Sequence, residues 1–399
     1  MSVFFLVASA AGLLLAWNAV HPPARRGSGP LWFAALFTGE LALFQATVHV
    51  GMAAGFIGAG WAGGWPGRAA LVMTGLSIVL LVVTQIWALG ARKAMEQAVA
   101  GVTGESARFP RVRLTRLLRP YPSLPRRVEA IRDIAYGPDP VHRLDRFSSR
   151  ETTGPAPVLL QVHGGGWTWG RREQQARPLM HRMASAGWVV YSISYRLSPK
   201  ATFPDHLIDV KRAIAWIREH GLAHGADPSF LAITGGSAGG QLVALAALTA
   251  GDPAYQPGFE VADTTVQACI PFYGLHDLLD RSGTRPKWPY LSRHVMKSEP
   301  ADDPRAWSRA SSTRSVGADR PPFLLIHGSY DTLVRPSESR RLATALQEAG
   351  PAPVGLAEIP GATHAFDNMH SLRAERAVDG VQIVLEQLWA RHRAQQAGY

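Results

Sequence analysis

Residues 69–90 (AALVMTGLSIVLLVVTQIWALG) carry no formally charged side chain. A helix needs about 20 predominantly apolar residues to cross the roughly 30 Å hydrocarbon layer of a bilayer. A surface helix of a globular domain would instead alternate an apolar stripe with a polar face. Two further segments share the property: residues 3–20 are uncharged, and residues 31–60 are interrupted only by Glu40, Gln45 and His49. The sequence therefore predicts a transmembrane unit over residues 1–93 with helices at 3–20, 31–55 and 69–90. A buried core helix is the competing reading for each. A cleaved signal peptide does not fit, because no basic side chain precedes the first segment and two more apolar segments follow.

The charge distribution agrees with a membrane. The chain has 41 Lys+Arg against 30 Asp+Glu, yet residues 1–120 hold ten basic and only three acidic residues. A nucleic-acid surface would interleave basic residues with exposed aromatics in a recognisable motif, and no such motif is present. Positive flanks stay cytoplasmic. Arg25 and Arg26 lie in the first loop, Arg68 alone in the second, and Arg92 and Lys93 open a basic run after the third segment. This pattern predicts a multi-pass cell-membrane protein with an external amino terminus and everything after residue 90 in the cytoplasm. Glu40 is an ionisable group inside a predicted span, which points either to function or to packing beside Gln45. Residues 94–127 read as a basic juxtamembrane linker. Eight arginines fall between 105 and 132, and Pro110, Pro120, Pro122 and Pro125 break any long helix there. The linker suits anionic head groups, with a solvated tether as the competing reading.

From about residue 128 the hydrophobic period changes. Short β-rich runs at 158–163, 188–195, 230–234, 266–272, 323–327 and 354–359 alternate with helical stretches near 173–186, 205–220, 238–250, 337–349 and 372–393. In the second of these, Leu207, Val210, Ala213, Ile214 and Ile217 share a face, with Asp209, Lys211, Arg212 and Arg218 largely off it. Strands alternating with helices imply a mostly parallel central sheet flanked by helices, an α/β domain over 128–399. Residues 273–320 interrupt the alternation and read as a cap insertion. The lone Cys269 can form neither an intramolecular disulfide nor a zinc site.

The sharpest motif is Gly235-Gly236-Ser237-Ala238-Gly239, between the strand-like FLAIT and the helix-like QLVALAALTA. A strand–turn–helix of this kind strains the serine backbone and exposes its hydroxyl at a helix start. Upstream, His163-Gly164-Gly165-Gly166-Trp167 follows the strand VLLQV. Acyl transfer develops negative charge on a carbonyl oxygen, and consecutive glycines let bare amides approach it; the helix start adds the amide of Ala238. Alone, HGGG could be a phosphate-binding turn. A serine also needs a base, and the base an orienting carboxylate. Asp331, after the strand FLLIH, and His364, in PGATHAF, fill these roles, with Asp277, Asp367, His370 and His327 as competitors.

These motifs, with YRLSP at 195–199, FPDHLIDVKRAIAW at 203–216 and HGSYDTLV at 327–334, resemble the α/β-hydrolase superfamily. The likeness is greatest to hormone-sensitive-lipase-like carboxylesterases and feruloyl-esterase-like relatives. It covers roughly 130–395. The resemblance implies an α/β-hydrolase fold; the all-α transmembrane unit predicted before it from hydropathy lies outside the family's usual fold. The resemblance further implies Ser237 as nucleophile, His364 as base, Asp331 as acid, and an oxyanion hole from Gly165, Gly166 and Ala238. The lipase-like family commonly has a DPL-type motif before its acid; GSYD here shifts the likeness toward the feruloyl-esterase-like and kynurenine-formamidase-like branch, as does AYGPDPVHRLD at 135–145.

The expectation is a membrane-anchored serine carboxylesterase that needs no cofactor or metal, whose partners are a small, apolar ester and the lipid bilayer, with no nucleic acid. An amidase of the kynurenine-formamidase type and a non-catalytic membrane ligand-binding scaffold are the alternatives. Trp167 and Trp169 either wall the acyl pocket or pack under the cap.

Overall fold

The computed structural model describes residues 1–23, 29–281, 283 and 289–398. Arg25 and Arg26, on which the predicted inner loop depends, lie outside the described residues, as does part of the predicted cap insertion. The amino-terminal third forms α1 (Ser2–Val20), α2 (Gly29–Glu40), α3 (Ala42–Gly58) and α4 (Gly64–Leu89). Helices α1 and α4 pack together, with the Ser9 and Thr74 hydroxyls 3.0 Å apart. Asn18 Nδ2 donates to the Leu31 carbonyl at 2.7 Å and ties α1 to α2. The outward faces are apolar: Phe4, Leu14, Val48, Val72 and Val79 are all more than half exposed. By length and composition, α1 and the continuous helical stretch 64–103 are candidates to cross a membrane, with a third crossing if α2 and α3 count as one.

The predicted helix over 31–55 is in fact two. The chain breaks after Glu40, and α2 and α3 meet at 83°. A break in a helix strands carbonyl groups that must find partners, and here other parts of the fold supply them. The Gly39 carbonyl accepts from Arg373 Nη1 and Gln85 Nε2, each at 3.5 Å, while Glu40 Oε1 lies 3.3 Å from Arg373 Nη1. Gln45 bonds Thr38, not Glu40.

The remainder contains α5 (Ala91–Thr103), the single turn α6 (Leu114–Leu117), β1 (Val128–Ala135), β2 (Arg143–Ser149), β3 (Ala156–Val162), α7 (Arg177–Ser185), β4 (Val189–Ile193), α8 (Asp205–His220), β5 (Ala226–Gly236), α9 (Ala238–Leu248), β6 (Ala268–Phe272), α10 (Pro304–Arg309), β7 (Phe323–Gly328), α11 (Ser337–Ala349), β8 (Val354–Ile359) and α12 (Leu372–Gln396). The strands form one sheet ordered β1-β2-β4-β3-β5-β6-β7-β8. Pairing is parallel from β4 through β8, while β1 and β2 run antiparallel at one edge. Every residue of β3, β4, β6 and β7 is buried, as a parallel sheet covered on both faces requires. The architecture is that of an α/β-hydrolase.

All six predicted strands are present. The pair β1–β2 was not predicted, because its polar sequences (VEAIRDIA and RLDRFSS) lack a clean apolar period; β1 is the edge strand, which tolerates such polarity, and in β2 the buried Asp145 is paired with Arg172 at 2.9 Å. On α8 the five apolar residues are fully buried as expected, but Asp209 and Lys211 are fully buried too. Asp209 is paired with Arg196 at 2.7 Å and His142 at 2.9 Å, which satisfies a carboxylate that periodicity assigned to solvent.

The predicted linker over 94–127 also differs. Its first part is α5, which buries Met95, Ala98, Val99 and Val102 against β8 and α12. Contact is close: a Cβ on Gly355 would lie 2.1 Å from the Ala98 carbonyl oxygen, and one on Gly380 would lie 2.2 Å from Met95 Cε. Further on, Arg116 pairs with Glu375 at 2.7 Å, and Arg376 donates to the Pro110 carbonyl at 2.6 Å. The segment is docked onto α12. Regular apolar spacing in AMEQAVAGV, opposite glycines, explains why.

Candidate active site

Strand β5 delivers the chain to Ser237, which adopts φ 58° and ψ −120° immediately before α9. A non-glycine residue at positive φ costs of order 1–3 kcal/mol and persists only where its surroundings hold it. Two contacts do so. The Ser237 amide donates to the Phe272 carbonyl at 3.0 Å, and Gly239 lets α9 approach β3 so closely that a Cβ would sit 2.2 Å from the Val162 carbonyl oxygen.

Strand β3 delivers the glycine turn beside it. Gly165 has φ 114°, and a Cβ there would lie 1.9 Å from the Trp169 carbonyl oxygen, so only glycine fits. The turn is held from three sides. The Gly164 amide donates to Gln175 Oε1 at 2.7 Å, the Tyr290 hydroxyl donates to the Gly166 carbonyl at 2.8 Å, and His163 Nδ1 lies 2.7 Å from the Gly164 carbonyl. Burial pushes the His163 imidazole down to about 4, so near neutrality the ring is uncharged and Nδ1–H can donate. Among the described residues, the amides of Gly165 and Gly166 donate to no protein acceptor. The Ala238 amide is at the first position of α9, where no intrahelical carbonyl is in reach.

The loops after β7 and β8 bring Asp331 and His364 together: His364 Nδ1 is 2.6 Å from Asp331 Oδ2. Asp331 Oδ1 accepts the amides of Leu333 (2.9 Å) and Val334 (2.8 Å). Burial would raise the Asp331 carboxyl, but His364 and His327 beside it outweigh that and hold it at about 2. The carboxylate is therefore ionised near neutrality, and its contact with Nδ1 leaves Nε2 of His364 as the ring's other nitrogen. Ser237 and His364 line one cavity with Gly164, Gly165, Gly166 and Ala238. No hydrogen bond joins Ser237 Oγ to His364 among the described residues, a spacing common before substrate arrives.

The competitors have other partners, although His327 Nε2 also lies 3.4 Å from Asp331 Oδ2. Asp367 takes the Tyr273 hydroxyl, and Asp277 Oδ2 accepts the Arg281 amide. His327 is buried between Ser339 (2.7 Å) and the Val334 carbonyl (2.9 Å). His370 is not a free surface group; it pairs with Glu375 at 2.6 Å.

The cavity measures about 510 Å3, within the roughly 300–1,000 Å3 of small-molecule sites. Among the lining residues that the sequence did not single out, two aromatic ones stand beside His364. Tyr273, at φ 37°, stands 4.6 Å from His364 ring to ring; its place just after a predicted strand was the available signal. Trp32, from α2, stands edge-on to His364 at 5.9 Å, and no local pattern announces a contact across that sequence distance. Trp167 is buried, with Nε1 donating to Gln241 at 3.2 Å, whereas Trp169 is exposed at the rim.

Comparison with known proteins agrees with this architecture. The chain is 44% identical over 270 residues to the esterase LipQ of Mycobacterium tuberculosis, covering 67% of this chain and 64% of LipQ. It is 44% identical over 267 residues to the probable carboxylic ester hydrolase LipM of the same organism, covering 66% of this chain and 62% of LipM. The chain thus spans just under two thirds of either relative. Among solved structures, a bacterial heroin esterase superposes with a TM-score of 0.55 at 28% identity, covering 66% of this chain and 85% of that one. The BD-FAE family model matches residues 144–346, a stretch that runs from β2 through the glycine turn, Ser237 and Asp331 into α11. With more than half of its residues in that match, the chain belongs to the BD-FAE family.

Proposed function

We propose that this protein is a membrane-anchored serine hydrolase that cleaves carboxylic esters through an acyl-enzyme. One observation carries the reading: a strained serine at a helix start shares a cavity with an imidazole whose Nδ1 is 2.6 Å from a buried, ionised carboxylate. Ser237 Oγ attacks the ester carbonyl carbon while His364 Nε2 takes its proton. The amides of Gly165, Gly166 and Ala238 hold the oxyanion, each such donor contributing roughly 3 kcal/mol in the transition state. Imidazolium at His364 then protonates the departing alcohol, leaving Ser237 acylated. Water attacks that ester by the same steps in reverse, releasing the acid and the free serine. The names of LipQ and LipM support ester chemistry, and the apolar outer faces of α1, α3 and α4 support the anchor.

The test is Ser237→Ala in the full-length, detergent-purified protein. Aryl-ester turnover should fall by at least about 10⁴-fold, with an unchanged melting profile, and a fluorophosphonate should label the wild type only. Retained turnover in the variant would overturn the assignment.

A further inference from the structure

Helix α2 meets α3 at 83°. If α3 lies near the bilayer normal, this bend puts α2 close to the membrane plane, the orientation of an interfacial helix. Trp32, Phe33, Leu36 and Phe37 fall on one side of α2 at helical spacing, and all four line the cavity that holds Ser237 and His364. They grade from inside to outside. Trp32 stands against the His364 ring, and its Nε1 is buried with no protein acceptor among the described residues, leaving an N–H for a polar atom of a bound molecule. Leu36 is buried, while Phe33 and Phe37 are exposed and stack on each other at 6.3 Å. Across the mouth, Tyr121, Trp169 and Leu333 also line the cavity and are exposed. A rim of exposed aromatic and aliphatic side chains is unfavourable in water and favourable at the boundary of lipid and water.

We infer that α2 is the binding wall for the hydrocarbon chain of a bilayer-dissolved ester, which enters between Phe37 and Trp169 and lays its chain along α2 with the carbonyl at Ser237. This inference rests on the hydrolase reading above and adds the substrate class to it. A soluble short-chain ester would need neither the apolar mouth nor a wall borrowed from the amino-terminal unit.

The experiment uses the full chain in lipid nanodiscs and an alkyl fluorophosphonate carrying a diazirine near the end of its chain. Ser237 Oγ displaces fluoride from phosphorus, which fixes the head group; photolysis then reports where the tail lies. Attachment at Ser237 with insertion into residues 30–40 is the expected result. Attachment at Ser237 with insertion only into residues after 127 would overturn the substrate inference and leave the hydrolase reading standing. No attachment at Ser237 would overturn both. As a second measure, Leu36→Trp should lower the ratio of kcat/KM for a hexadecanoyl ester to that for an acetyl ester at least tenfold; an unchanged ratio in a folded variant counts against α2 as the wall.

Discussion

Arg373 and Glu40, separated by 333 positions in the chain, meet at 3.3 Å with each side chain 1% exposed. The same guanidinium donates to the Thr84 carbonyl at 2.6 Å and to the Pro360 carbonyl at 2.8 Å. One side chain therefore joins the α2–α3 bend, the end of α4 and the loop that leads to His364. Removing one partner of a buried pair leaves an uncompensated charge, at about 3–5 kcal/mol. Arg373→Met should accordingly lower the melting temperature strongly in detergent, and Glu40→Leu combined with Arg373→Met should recover much of the loss. An additive double variant would mean that the pair is not coupled.

Asp331 fixes the tautomer and direction of His364 through the 2.6 Å contact. Asp331→Asn keeps the shape but presents an uncharged partner to the ring. We expect kcat for ester hydrolysis to drop about 10³–10⁴-fold, with KM changed by a few-fold at most. Steady-state kinetics on a soluble aryl ester would measure both.

Stability should be acid-sensitive in two windows. Burial holds the imidazoles of His163, His181 and His206 at about 4, below the unfolded value near 6.5. Below pH 6.5 the unfolded chain takes up protons that the native state refuses, so stability present above 6.5 is lost as pH falls toward 4. At about 1.4 kcal/mol per pKa unit, His163 alone accounts for roughly 3 kcal/mol. Asp331, held at about 2, adds a second loss between about pH 4 and 2. Denaturation midpoints measured from pH 8 to 4 should fall for the wild type, and fall less steeply for His163→Gln. A flat profile would show that these rings are hydrated in solution.

Much of the α/β domain was legible because each element there carries its own local signal. Runs such as VLLQV and FLLIH are buried on both sheet faces, and glycines at 165 and 239 mark backbone approaches that a Cβ would block. What stayed hidden was polar or long-range. Asp209 looks like a solvated helix residue until Arg196 and His142 arrive from other elements. The docking of α5 depends on glycines at 355 and 380, more than 250 positions away, and Trp32 reaches His364 only because the chain bends after Glu40. Such contacts belong to the packed molecule, and no window of sequence contains them.

The apolar helices also make an orientation testable. The helical stretch Gly64–Thr103 would extend about 60 Å at 1.5 Å per residue, twice the hydrocarbon thickness. One end must therefore stand clear of the lipid, and the basic pair Arg92 and Lys93 marks the end that continues into the α/β domain. Lys and Arg beside a span are retained in the cytoplasm, so the α3–α4 turn should face outward and the segment after α5 inward. Cys269 is fully buried, which keeps the background low for labelling introduced cysteines at exposed positions. In intact cells, a membrane-impermeant maleimide should label Ala59→Cys at once and Ser106→Cys only after permeabilisation. The reverse order would invert the topology and move the α/β domain outside, whereas labelling of both in intact cells would remove α4 from the set of crossings.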